Sequence, residues 1–118
     1  VNVHKHIKVN ADVRKTIRKY LSVVKKRYPI QKAYLFGSHV TGRAHAWSDI
    51  DLALVSTAFA HDPVSAQYEL MKMAVPIDWR IEPHVFAPDD FEINHPLVPE
   101  INRASVLLLE RNASKRVR

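Results

Sequence analysis

The sequence predicts a layered α/β domain: helix-period segments alternate with short apolar runs, and prolines mark the joints between them. Elements in that alternation bury their apolar sides by stacking helices on a sheet. Asn10 or Asp12 can cap a first helix reaching about Tyr28, because Val13, Ile17, Tyr20, Leu21, Val24 and Tyr28 recur at helical spacing and Pro29 follows. A first strand is expected from about Gln31 to Phe36 and a second from about Asp49 to Ser56. Asp62 and Pro63 then signal a helix start, with aspartate at the cap and proline at the first helical position. The apolar stripe of that helix, Val64, Tyr68, Met71 and Val75, is expected to be core, and Pro76 to end it. A third strand follows from Trp79 to Phe86. Pro88-Asp89-Asp90-Phe91 begins a short turn or helix, Pro96 to Ala104 reads as another helix, and the apolar run Val106-Leu107-Leu108-Leu109 lies near the end.

Within this frame the most informative stretch is Leu35-Phe36-Gly37-Ser38, followed after ten residues by Asp49-Ile50-Asp51. Gly37 ends an apolar strand where a side chain would block close backbone approach to a ligand. If the chain turns into a helix at Ser38, the hydroxyl and the free N–H groups of the first turn can bond phosphate oxygens. Gly42 provides a second flexible point in the same loop. Asp49 and Asp51 are two apart, so on an extended strand both leave one face while Ile50, Leu52 and Leu54 point to the other. Magnesium prefers carboxylate, water and phosphate oxygens, so two acids on a rigid strand suit it. An Asp-x-Asp alone is usually a solvated strand end. The apolar strand, the Gly-Ser pair, the second glycine and Ser48 directly before Asp49 together argue for nucleotide chemistry instead.

These residues resemble the minimal nucleotidyltransferases, small members of the DNA polymerase beta-like superfamily. The likeness rests on Phe36-Gly37-Ser38-His39-Val40-Thr41-Gly42-Arg43-Ala44 and Ser48-Asp49-Ile50-Asp51-Leu52, and it extends from the first helix to near the C-terminus. It implies a nucleotidyltransferase fold with a small mixed β-sheet flanked by helices. It also implies transfer of a nucleoside monophosphate from a triphosphate, with AMP from ATP the expected case, and Mg2+ held by three carboxylates. On that resemblance Asp49 and Asp51 are two of the three, Gly37, Ser38 and Ser48 position the nucleotide, and the third acid lies on the next strand. Alternation there puts Trp79, Ile81 and Val85 on one face and Arg80, Glu82 and His84 on the other, which favours Glu82 as catalytic acid and metal ligand. Asp78 competes, because alternation does not separate it from Glu82. Relatives often carry aspartate at this position. Pro83 cannot donate to a sheet ladder, so this strand is expected at an edge or a bulge.

Composition bounds the rest. With 118 residues, one domain spanning 1–118 is expected, burying about two-thirds of its unfolded surface. Cysteine is absent, which excludes disulfides and thiolate metal sites, and no apolar run approaches a membrane span. A signal-peptide core is also missing from the first residues, so a cytoplasmic setting is expected. The formal charge of +6 attracts polyanions: triphosphate, nucleic acid or an acidic protein surface. Arg14, Lys15, Arg18, Lys19, Lys25, Lys26 and Arg27 read as the solvated face of the first helix, and the basic tail 115–118 as a frayed terminus. Most of the seven histidines read as surface residues, with His84 the exception to watch because it shares the face of Glu82. Trp47 can stack on a base, although packing is the commoner use of an aromatic.

Three functions compete. The first is an active nucleotidyltransferase whose acceptor comes from a partner or a second subunit, because a separate acceptor-binding domain does not fit this length. The resemblance then implies the antitoxin role, adenylylation of a toxin of the HEPN (higher eukaryotes and prokaryotes nucleotide-binding) fold. The second is a binding module that neutralises its partner by contact with little catalysis. The third is modification of nucleic acid, which the basic helix permits but no aromatic-basic motif supports.

Overall fold

Asn10 opens the first helix of the computed structural model, which describes residues 9–91 and 95–111. Its side-chain oxygen accepts from Asp12 N at 2.8 Å and Val13 N at 3.3 Å, satisfying two of the free N–H groups at the helix start. This helix, α1, runs Ala11–Arg27 and turns Val13, Ile17, Tyr20, Leu21 and Val24 inward. The seven basic residues named above remain exposed. His4, His6 and the tail 115–118 lie outside the described residues.

The strands are β1 (Lys32–Phe36), β2 (Ile50–Val55), β3 (Ile81–Phe86) and β4 (Ser105–Glu110). They form one mixed sheet in the order β3-β2-β1-β4. β1 pairs antiparallel with β2 and β4, whereas β2 and β3 run parallel. A tight hairpin cannot join parallel neighbours. After a one-turn helix α2 (Ser38–Thr41), α3 (Pro63–Ala74) therefore supplies the crossover, capped by Asp62, which accepts from Ser65 N at 3.1 Å. A last helix, α4 (Val98–Arg103), leads into β4.

The sheet is covered on both faces. Ala33, Leu35, Ile50, Leu52, Leu54 and Ile81 pack with the inner faces of α1 and α3. Tyr34, Phe36, Ala53, Val55 and Phe86 alternate to the other side, against Val98 and Ile101 of α4. β4 is the element that the sequence reading left unassigned. Its run of four apolar residues has no alternation to declare a strand, and its identity comes from pairing with β1, where the register shifts between Ala33 and Tyr34.

The stripe of α3 is a correction. Val64, Tyr68, Met71 and Val75, expected in the core, are 79, 65, 49 and 68 % exposed, and Ala66, Leu70 and Ala74 face inward instead. Gln67 accounts for the rotation. Its Nε2 donates to Pro83 O at 2.7 Å and its Oε1 accepts from Val85 N at 3.1 Å, so α3 covers the open side of the edge strand β3. Pro83 does sit on an edge strand, as its missing N–H predicts. Trp79, placed by alternation with Ile81 on the apolar face, instead precedes β3 and is 63 % exposed.

Candidate active site

Gly37 leaves β1 with φ of 83°, a conformation that L side chains rarely adopt, and a Cβ there would collide with Asp51 Oδ2. The backbone of the Gly-Ser turn thus lies directly against the second aspartate. Ser38 starts α2, and Gly42, with φ of 84°, closes it by donating its N–H to Ser38 O. The next loop is braced from inside. Ser48 Oγ accepts from His45 N at 2.8 Å, Ser48 N donates to His45 O at 3.0 Å, and Arg80 Nη1 donates to Ala46 O at 3.3 Å. Buried Ser48 therefore holds the loop that delivers Asp49 to the start of β2.

Register across the sheet assembles the acids. Phe36 lies opposite Asp51, and Asp51 opposite Glu82. The Glu82 carboxyl is held above the usual carboxylate range, first by partial withdrawal from water, then by its hydrogen bond to Asp49 and the charges of Asp49 and Asp51. Asp78 is occupied elsewhere. It accepts from Arg80 N at 2.9 Å, Nε at 3.1 Å and Nη2 at 2.9 Å, and the side-chain bonds hold its carboxyl below the usual range. His84 approaches from β3, with Nε2 3.3 Å from Asp51 Oδ1. One ligand atom each of Asp51, Glu82 and His84 lies within 4.8 Å of the others. Such a carboxylate and imidazole set, crowded with negative charge, fits a divalent cation.

Two open recesses flank this set. One, of about 410 Å³, is lined by Gly37, Ser38, Thr41, Arg43, Glu100 and Arg103. The other, of about 390 Å³, has Asp49, Glu82 and Lys72 among its polar walls and Tyr68, Met71, Val75 and Trp79 among its apolar ones. Trp47 is not packed inside. It is 70 % exposed and stacks on Trp79, ring centroids 5.9 Å apart. Sequence reasoning singled out neither arginine of the first recess. Arg43 carried a faint signal, a base directly after the turn glycine, while Arg103 had none because α4 folds back from the far end of the chain.

Residues 17–104 match the family model described as a nucleotidyltransferase domain. A Sulfolobus solfataricus protein provisionally described as a nucleotidyltransferase superposes with a TM-score of 0.60 at 20 % identity, covering 88 % of this chain and 91 % of that one. A toxin-antitoxin crystallised with AMP-PNP superposes with a TM-score of 0.58 at 25 % identity, covering 85 % of this chain and 75 % of that one. No curated protein matches. With the family model spanning most of the chain, and with the Gly-Ser turn, acids and mixed sheet in one arrangement, this chain belongs to the nucleotidyltransferase domain family.

Proposed function

We propose that this chain is a magnesium-dependent nucleotidyltransferase that moves AMP from ATP to a hydroxyl of a partner protein, as the antitoxin facing a HEPN-type toxin. One observation carries the chemistry: the Gly37 backbone abuts Asp51, which lies in register with Glu82, so phosphate turn and acid set form one site. The recess of Gly37 and Ser38 takes the triphosphate, with Arg43 and Arg103 adding positive charge to its walls. Asp49, Asp51 and Glu82 hold the cation, and Ser48 braces the loop. Magnesium bound there would supply positive charge against the negative charge that develops on the phosphates.

The acceptor enters by the other recess, whose wall includes Glu82. The acceptor oxygen forms a bond to the α-phosphorus, the bond to the β-phosphate oxygen breaks, and pyrophosphate leaves. The hydroxyl proton passes to the Glu82 carboxylate, which lies on the wall of that recess. A protein acceptor is supported by the exposed residues Tyr68, Met71, Val75 and Trp79 on the wall of that recess, a surface of the kind that marks interaction sites. The toxin-antitoxin assembly of the structural relative supports the same choice.

Intact-mass spectrometry on a co-expressed partner tests the proposal. Wild type should add one AMP mass, and Asp49→Asn with Asp51→Asn should lower transfer on the order of a thousandfold or more while the fold persists. A partner neutralised equally by the double variant, with no added mass, would favour the contact-only module. Transfer to RNA would retain the enzyme and reject the protein acceptor.

A further inference from the structure

Nothing in the reaction above employs His84. It follows Glu82 by two residues on β3, so both side chains leave the same face, beside Asp51 of the parallel neighbour. Its ring tilts against Phe36, centroids 5.4 Å apart, and its side chain is only 23 % exposed. Packing therefore aims one nitrogen at the acid set. Two donors at about 2.1 Å from one ion and at right angles are roughly 3.0 Å apart, and opposed donors roughly 4.2 Å. The 3.3 Å between His84 Nε2 and Asp51 Oδ1 is close to the first value. All three ligand atoms lie within 4.8 Å of one another, a bound little above the second value.

We infer that His84 Nε2 is a further ligand of the cation proposed at Asp49, Asp51 and Glu82, making the site a mixed nitrogen and oxygen centre that holds transition-metal ions, Mn2+ among them, more tightly than the Mg2+ it also accepts. The inference rests on the proposed cation site and adds its selectivity. Imidazole suits transition-metal ions, whereas magnesium demands oxygen donors and keeps its waters. Removing the nitrogen should therefore weaken manganese binding and barely alter magnesium binding. A histidine that only orients Asp51 through a hydrogen bond would affect both ions alike.

The test uses the metal ions alone. Mn2+ and Mg2+ are titrated calorimetrically into the wild-type chain and into His84→Asn, and electron spin-echo spectra of the Mn2+ complexes are recorded. The expected result is a tenfold or greater loss of Mn2+ affinity in the variant, Mg2+ affinity within about threefold, and a nitrogen coupling in the wild-type spectrum that the variant lacks. The wild-type spectrum needs no variant to fold. Absence of nitrogen coupling in wild type, or equal loss of both ions in a folded variant, overturns the inference while leaving the acid site standing. Failure of wild type to bind either ion overturns the site and the inference together.

Discussion

Helices α1 and α3 both carry large apolar residues at helical spacing, yet only α1 turns that stripe into the core. On α1 the opposite face is predominantly basic and polar, so burial of Val13, Ile17, Tyr20, Leu21 and Val24 has no strong competitor. α3 has two candidate faces. Ala66, Leu70 and Ala74 form a small-residue face, and Val64, Tyr68, Met71 and Val75 form a bulkier one roughly a third of a turn away. The smaller face wins because α3 must come close enough for Gln67 to pair with Pro83 O and Val85 N on the edge strand. Tyr20 adds a further constraint, donating from its buried hydroxyl to Leu70 O at 2.9 Å, which ties that turn of α3 to α1. Side-chain volume is thus a poor guide to burial where a helix also has backbone groups to satisfy.

Four changes would break or sharpen this contrast. The largest effect is expected from Leu70→Ala, which empties a fully buried position on the small face and should cost about 3 kcal/mol in chemical denaturation. Stability within about 0.5 kcal/mol of wild type would show that α3 does not use that face. Gln67→Ala should cost about 2 kcal/mol, since two hydrogen bonds to the edge strand are lost together. Hydrogen exchange should then quicken at Val85 N; unchanged protection there would remove Gln67 as the determinant of the rotation. Tyr68→Ser and Met71→Ser should each change stability by about 0.5 kcal/mol or less, because both side chains are exposed. They should nevertheless reduce the AMP transfer to a partner protein that is proposed above. A destabilisation of about 2 kcal/mol at either position would return the stripe to the core, and full stability with unaltered transfer would remove it from the acceptor surface.

The acids illustrate the same division on a smaller scale. Alternation on a strand leaves Asp78 and Glu82 equivalent, and only the parallel register, with Asp51 opposite Glu82, separates them. Arg80 completes the separation by occupying both oxygens of Asp78. Trp79 shows how a period misleads at a strand end: the alternation is correct from Ile81 onward, but the chain is still turning at Trp79 and the ring finds Trp47 instead of the core. Ser48 stood out in the sequence for its place before Asp49. Its contacts are with His45, so what it touches in the fold is the loop itself.

What the sequence determined by itself is what short-range forces decide. Asn10 and Asp62 start their helices because a side-chain oxygen reaches N–H groups two or three residues ahead. Gly37 ends β1 because the next turn needs a positive φ beside Asp51, and the Gly-Ser and Asp-x-Asp spacing already pointed to nucleotide chemistry. Tertiary structure alone decided the rest: that 105–110 is a strand, which face of α3 is buried, which acid meets Asp51, and that Arg103 shares a recess with Ser38. Each of those outcomes is a competition between surfaces of similar local character. The winner is set by the backbone groups and charges that distant segments bring against them.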